Sequence, residues 1–137
     1  MSQQQNPVQT DKAEKPVILR VSHITKRFTS KGVTVHAVTD VSFDVRKGET
    51  IGIVGESGCG KTTLGRCIVR AIQATEGEVK YTARDGVTYD FLTLNKQDMK
   101  KVRREIQMIF QDPYSSLDPR MTVIDIIAEP LKANCPH

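Results

Sequence analysis

Tryptophan is absent from the 137 residues, and aromatic side chains of all kinds make up only 5%. A surface that grips single-stranded nucleic acid stacks successive bases on rings set among cations. No ring interleaves with the densest basic stretch, Lys100 to Arg104, so nucleic acid is not an expected partner. Long apolar runs are missing too. None approaches the roughly 20 residues that cross a bilayer, and Met1 to Pro16 holds no segment that could act as a secretory signal. The expected location is the cytoplasm. Cysteine occurs three times, as Cys59, Cys67 and Cys135, with no Cys-x-x-Cys pair. An odd number at that spacing speaks against a disulfide framework or a zinc site and for free thiols in a reducing compartment. His23, His36 and His137 stand in no motif.

What is present is ordinary for a globular domain: 38% apolar and 26% charged residues, in a length suited to one core. The formal charge is +4, and its densest basic stretch is Lys100, Lys101, Arg103 and Arg104, flanked by Asp98 and Glu105. Mixed signs of this kind read as a solvated helix face. Residues 1–16 are polar and predict a disordered tail; residues 17–137 form the domain. Val17 to Phe28 predicts a strand, and Val33 to Val45 a second one with clear alternation at Val41, Phe43 and Val45. Thr50 to Val54 is a short apolar run of the kind buried on both faces of a sheet. A helix is expected over about Lys61 to Ile72, with Leu64, Cys67, Ile68 and Ala71 on one face. Asp85-Gly86 marks a hairpin within Glu78 to Phe91. Asn95 to Arg104 predicts a polar helix, Ile106 to Phe110 an apolar strand, and Thr122 to Ala128 a last helix before Pro130. The fold class is α/β with an antiparallel lobe early in the chain.

The segment Gly55-Glu56-Ser57-Gly58-Cys59-Gly60-Lys61-Thr62 satisfies G-x-x-x-x-G-K-[ST] at every fixed position. Chance alone would produce it in roughly one chain of this length in a few hundred, and its place between an expected strand and helix is the one its chemistry needs. Glycines let consecutive N–H groups curl around a polyphosphate without side chains in the way. The positive end of the following helix adds attraction. Lys61 supplies a cation for the outer phosphates. Thr62, with Thr63 beside it, offers a hydroxyl to Mg²⁺. Ser57 is placed either near the outer phosphate or at the surface. The expected cofactors are therefore a nucleoside triphosphate and Mg²⁺.

Two other motifs compete. Asn95-Lys96-Gln97-Asp98 fits the guanine-reading pattern N-K-x-D, but the chain has no D-x-x-G switch. Asn95 is better explained as a helix cap, with Asp98 in the first turn. Ile106 to Asp112 is an apolar run ending in an acid, as in a Mg²⁺-holding Walker B strand. Gln111 interrupts it, however, and Pro113 follows at once.

From Gln111 onward the residues resemble a known family. Gln111-Asp112-Pro113-Tyr114-Ser115-Ser116-Leu117-Asp118-Pro119-Arg120-Met121-Thr122 is similar to the Q-loop of ATP-binding cassette (ABC) ATPases, most of all the F-type subunit of oligopeptide and dipeptide importers. The phosphate loop, Leu64-Gly65-Arg66, Val41-Ser42-Phe43 and Lys47-Gly48-Glu49 resemble the same subfamily, over Ile18 to Leu131. Asp118, where Asn is common, and a longer hairpin at Asp85-Gly86 are the departures. The resemblance implies the P-loop NTPase core of an ABC nucleotide-binding domain with an N-terminal antiparallel β lobe. It implies ATP as the nucleotide, contacted through Gly55, Ser57, Gly58, Cys59, Gly60, Lys61, Thr62 and Thr63. Gln111 would be the catalytic-site residue near Mg²⁺ and the attacking water; the alternative is a polar residue that ends a strand. Phe28 is either core or the aromatic that stacks on adenine.

In that family a signature segment, a Walker B acid with its catalytic glutamate and a switch histidine lie beyond the position of Leu131, and none occurs in these residues. The expectation is an incomplete domain, inactive alone. As the complete protein it would be an importer ATPase at the inner face of the membrane, partnered by permease subunits and a second ATP-binding subunit. The alternative is a soluble ABC ATPase acting on nucleic acid or in translation.

Overall fold

The computed structural model describes residues 15–112 and 117–134. Most of the expected polar tail and the Q-loop residues Pro113 to Ser116 lie outside that range. Lys15 and Pro16 are already tied to the domain, their carbonyl oxygens accepting from Arg46 Nη1 at 3.0 Å and Lys47 N at 2.9 Å.

Two long strands, β1 (Val17–Ser30) and β2 (Val33–Arg46), form an antiparallel hairpin. Its two-residue turn has positive φ at both positions, 48° at Lys31 and 81° at Gly32. That backbone matches the right-handed twist of the strands it joins. The other edge of β1 pairs antiparallel with β3 (Glu76–Thr82), which pairs with the short β4 (Thr88–Asp90), giving the order β2-β1-β3-β4. Between β3 and β4 lies the expected turn: Gly86 has φ 84°, and Asp85 Oδ1 accepts from Val87 N at 2.9 Å.

Register slips between Val21 and Ile24 and again near Lys26 break the β1–β2 ladder. Backbone donors released by a bulge need other partners. Side chains supply them: Ser42 Oγ accepts from His23 N at 2.8 Å, and Thr25 Oγ1 from Asp40 N at 3.0 Å. The start of β3 presses on this bulge so closely that a Cβ on Gly77 would stand 2.6 Å from His23 O.

Three helices complete the described chain: α1 (Lys61–Ile68), α2 (Lys96–Val102) and α3 (Val123–Asn134). The core lies on one face of the sheet, where Val21, Ile24, Val79, Phe91 and Cys67 are fully buried. Leu64 and Cys67 of α1 join that core, as their helical spacing predicts. Tyr81 packs on Phe91 with ring centroids 5.7 Å apart, and its hydroxyl donates to Glu105 Oε2 at 2.8 Å.

The structure departs from the sequence reading in four places. Helix α1 stops at Ile68 and not at Ile72, because Arg70 takes the left-handed conformation (φ 52°) and diverts the chain. Helix α3 continues through Pro130 to Asn134 and does not end at Ala128. Thr50 to Val54 and Ile106 to Phe110 are not strands. Val54 is 92% exposed and Ile109 96%. An apolar strand is stable only when neighbours ladder onto its edges and cover its faces; among the described residues neither run ladders onto the antiparallel sheet, although Ile106 packs partly against the core.

Burial, with the hydrogen bond to Glu105 second, pushes the Tyr81 phenol from 10.0 up to about 12. The folded chain therefore keeps a proton that the unfolded chain loses first. The stabilisation is complete below pH 10 and disappears as pH rises toward 12. Urea melts of wild type and Tyr81→Phe across that range should converge as the wild type loses stability faster. Parallel slopes would show that Tyr81 ionises alike in both states.

Candidate functional site

The loop between Gly55 and Lys61 turns back on itself, with Cys59 N donating to Glu56 O at 3.3 Å. Two of its glycines have φ that side chains rarely adopt, 80° at Gly58 and 99° at Gly60. Gly60 has a second reason to be glycine. A Cβ there would fall on the carbonyl oxygen of Ala37, so the loop seats on β2 only with bare backbone. A Cβ on Gly55 would stand 2.7 Å from Cys59 Sγ.

Gly60 is also the N-cap of α1. It makes no side-chain cap bond, and the first turn contains no acid. The first N–H groups of a helix lack intrahelical partners and carry the positive end of its dipole. Here neither a capping side chain nor a carboxylate competes for them, which suits an anion. Lys61 opens this helix, and its ammonium lies over the loop, donating to Gly55 O at 2.7 Å, Glu56 O at 2.5 Å and Cys59 Sγ at 3.5 Å.

A cleft of ≈ 620 Å³ runs beside the loop; Lys61, Thr62 and Arg66 line one wall, Met108 to Asp112 the other. The structure thus brings Gln111 to the same cleft as Lys61 and Thr62, although 49 positions of sequence separate Thr62 from Gln111. Arg66, named from sequence only within Leu64-Gly65-Arg66, was given no role there; its place one helical turn after Thr62 was the available signal. Asp112, weighed there as a strand-end acid, sits at this cleft beside Gln111. Among the described residues no group of three or more His, Cys, Asp or Glu side chains is arranged to hold a metal. Mg²⁺ would therefore need phosphate oxygens and water besides Thr62 and Gln111, and it is commonly bound in that way.

Ser57 and Cys59 are exposed in the loop, and Thr63 is half-buried behind Thr62. Phe28 is not brought to the loop's clefts. It is 45% exposed near the end of β1, with Lys26 Nζ 4.8 Å from its ring centroid. On the β2 side of the loop, a smaller cleft of ≈ 390 Å³ is lined by His36, Val38, Val54, Cys59 and Lys61 among others. Asn95 caps α2, its side chain accepting from Asp98 N at 2.9 Å, which accounts for the guanine-like motif.

Residues 38–134 match the family described as ABC transporter. The chain belongs to that family. It is 50% identical over 117 residues to the oligopeptide transport ATP-binding protein OppF of Bacillus subtilis, covering 83% of this chain and 36% of that protein. It is 44% identical over 135 residues to OppF of Haemophilus influenzae, covering 90% of this chain and 38% of the relative. The chain thus spans little more than a third of the curated relatives it matches. Among solved structures it is similar to the dimeric structure of MJ0796, a bacterial ABC transporter cassette. The TM-score is 0.69 at 25% identity, over 88% of this chain and 49% of that one. The same cassette in a post-hydrolysis state bound to ADP and Pi gives a TM-score of 0.68. The α/β fold with its antiparallel lobe is that of an ABC cassette in part. No helix among the described residues is long and apolar enough to cross a membrane.

The two described cysteines differ sharply. Cys59 is exposed, whereas Cys67 is fully buried and its thiol is pushed up from 9.0 by that burial. Maleimide should modify Cys59 roughly tenfold faster or more, read by mass spectrometry of the two alkylated peptides over time. Equal rates would mean that α1 leaves the sheet readily.

Proposed function

We propose that this chain is the nucleotide-binding part of the ATP-binding subunit of an ABC importer of the peptide or oligopeptide type. The observation that carries the proposal is the meeting of an uncapped, glycine-cradled helix start, Lys61 and Thr62 with Gln111 at one cleft. The match to the family and the likeness to OppF proteins support it. In this reading, loop N–H groups from Gly55 to Thr63, with Ser57, Gly58, Cys59 and Gly60 between them, hold the polyphosphate. Lys61 leaves the loop carbonyls for the outer phosphates, exchanging neutral acceptors for charged ones. Thr62 and Gln111, which line the same cleft, are the residues that would hold Mg²⁺. The ion would draw charge from the phosphate oxygens when bound. Gln111 orients the water that attacks, and Phe28, exposed outside the cleft, would meet the adenine only where the base extends beyond the loop.

The complete protein would act at the inner face of the membrane with permease subunits and a second ATP-binding subunit. This segment alone would bind nucleotide weakly without turning it over, since the signature, Walker B and switch-histidine elements are not in its sequence. A soluble ABC ATPase acting on nucleic acid is the alternative, and the scarcity of aromatics argues against it.

Replacing Lys61 by Ala in the complete protein should weaken ATP binding by ~1.5–3 kcal/mol or more, the usual worth of one charged hydrogen bond. Calorimetric titration measures it, and equal affinities would sink the phosphate-loop assignment. Gln111→Ala should slow hydrolysis while leaving ATP affinity nearly intact, the pattern of a contact made mainly in the transition state. Turnover unchanged with and without membrane subunits would leave Gln111 as a polar residue of the cleft with no part in the chemistry.

A further inference from the structure

Lys26 and Phe28 alternate with Arg27 on β1 and so project from the same face of the sheet. That face carries α1, because Lys26 pairs across the ladder with Val38, which belongs to the same core cluster as Leu64 and Cys67. The Lys26 charge is felt at Cys67, where burial pushes the thiol up and the ammonium opposes it. Lys26 is half-buried, and its Nζ lies over the Phe28 ring, 4.8 Å from the centroid. Among the described residues that ammonium joins no ion pair or hydrogen bond. A lysine of this kind ordinarily extends its head into water. Here the head covers an aromatic face.

Strand β2 links this ring to the phosphate loop. Ala37, whose carbonyl seats Gly60, is the extra residue between the pairs Lys26–Val38 and Arg27–His36. Val35, next on the same side of the strand, pairs with Phe28. Ala37 and Val35 are about 6.5 Å apart along a strand, a gap that a ribose bridges. The cleft on that side of the loop is lined by Cys59, Lys61 and His36. A nucleoside leaving the loop along β2 therefore arrives at Phe28.

We propose that Lys26 is a positioning residue for base recognition: its ammonium covers one face of Phe28 and sets the ring so that adenine stacks on the other. The inference rests on the assignment of Phe28 to the adenine made above. A cation over one face draws on the π density of the ring, which leaves the free face better matched to an electron-rich purine. It also restricts a side chain that is 45% exposed, so less ordering remains for the ligand to impose.

ATP, inorganic tripolyphosphate and the fluorescent 2-aminopurine riboside triphosphate are titrated into the complete protein without Mg²⁺, so that no hydrolysis intervenes. Lys26→Met keeps the length of the stem and removes the charge. It should weaken ATP binding roughly threefold, the worth of one exposed cation–π contact, and leave tripolyphosphate binding unchanged. Fluorescence of the bound analogue, quenched by stacking, should rise in the same variant. Lys26→Arg keeps a cation over the ring and should restore both readouts. If Lys26→Met lowers the melting temperature, Lys26→Gln is read in its place. Equal losses of ATP and tripolyphosphate affinity would make Lys26 a phosphate contact and overturn the proposal. Wild-type affinity and quenching in Lys26→Met would overturn it too. Phe28→Ala separates the two readings. If it weakens ATP binding and Lys26→Met does not, the role of Lys26 alone fails. If Phe28→Ala has no effect, the adenine assignment falls and this inference with it.

Discussion

Gly60 stands where any side chain would collide with the backbone of β2, and that contact joins the two halves of the molecule. On one side is an antiparallel sheet whose central strand, β1, is laddered along both edges. On the other is an exposed loop that ties Cys59 N to Glu56 O at 3.3 Å and leaves bare glycine backbone beside it. Seating the loop on Ala37 holds it open without filling it. Helix α1 then starts at a defined point, and Leu64 and Cys67 anchor it in the core below. The loop is kept in shape by its neighbours, since bare glycine backbone would otherwise sample many conformations.

Lys61 occupies the junction of this arrangement, lining the clefts on both sides of the loop. Its three contacts to the loop bring an ammonium to a place where a polyphosphate would be drawn, with no carboxylate at the helix start to neutralise it. The contacts to Gly55 O and Glu56 O are with neutral acceptors. Such bonds yield to a charged partner, since charge-assisted hydrogen bonds are roughly twice as strong. The site is thus poised by ordinary hydrogen-bond competition.

The charges elsewhere follow the same economy. Around α2 the acids complete local structure, one at the helix cap and one beneath the sheet hairpin, while the bases remain at a cleft. Around the bulge in β1, small hydroxyl side chains take up the donors that the ladder leaves over. Polar side chains here mostly finish backbone hydrogen bonding, which limits how many are left for ligands.

Much of this was legible in the letters. The glycine spacing from Gly55 to Gly60 predicted a turn of bare backbone ahead of a helix, and Gly58 and Gly60 take the positive φ that such a turn requires. The alternation in β2, the Asp85-Gly86 turn and the Asn95 cap are local rules, settled by neighbours a few residues away. What local pattern could not settle was where segments meet. Thr50 to Val54 and Ile106 to Phe110 have strand composition but no ladder in this sheet, because pairing depends on a partner distant in sequence. The shared cleft of Lys61, Thr62 and Gln111, the failure of Phe28 to join it, and the gathering of Arg70 with Lys96, Lys100 and Arg103 are long-range facts of the same kind. Sequence by itself determined the chemistry carried by each side chain and the local turns and caps. Tertiary structure decided which side chains share a cleft and which charges keep their partners, since both depend on contacts between residues far apart in the chain.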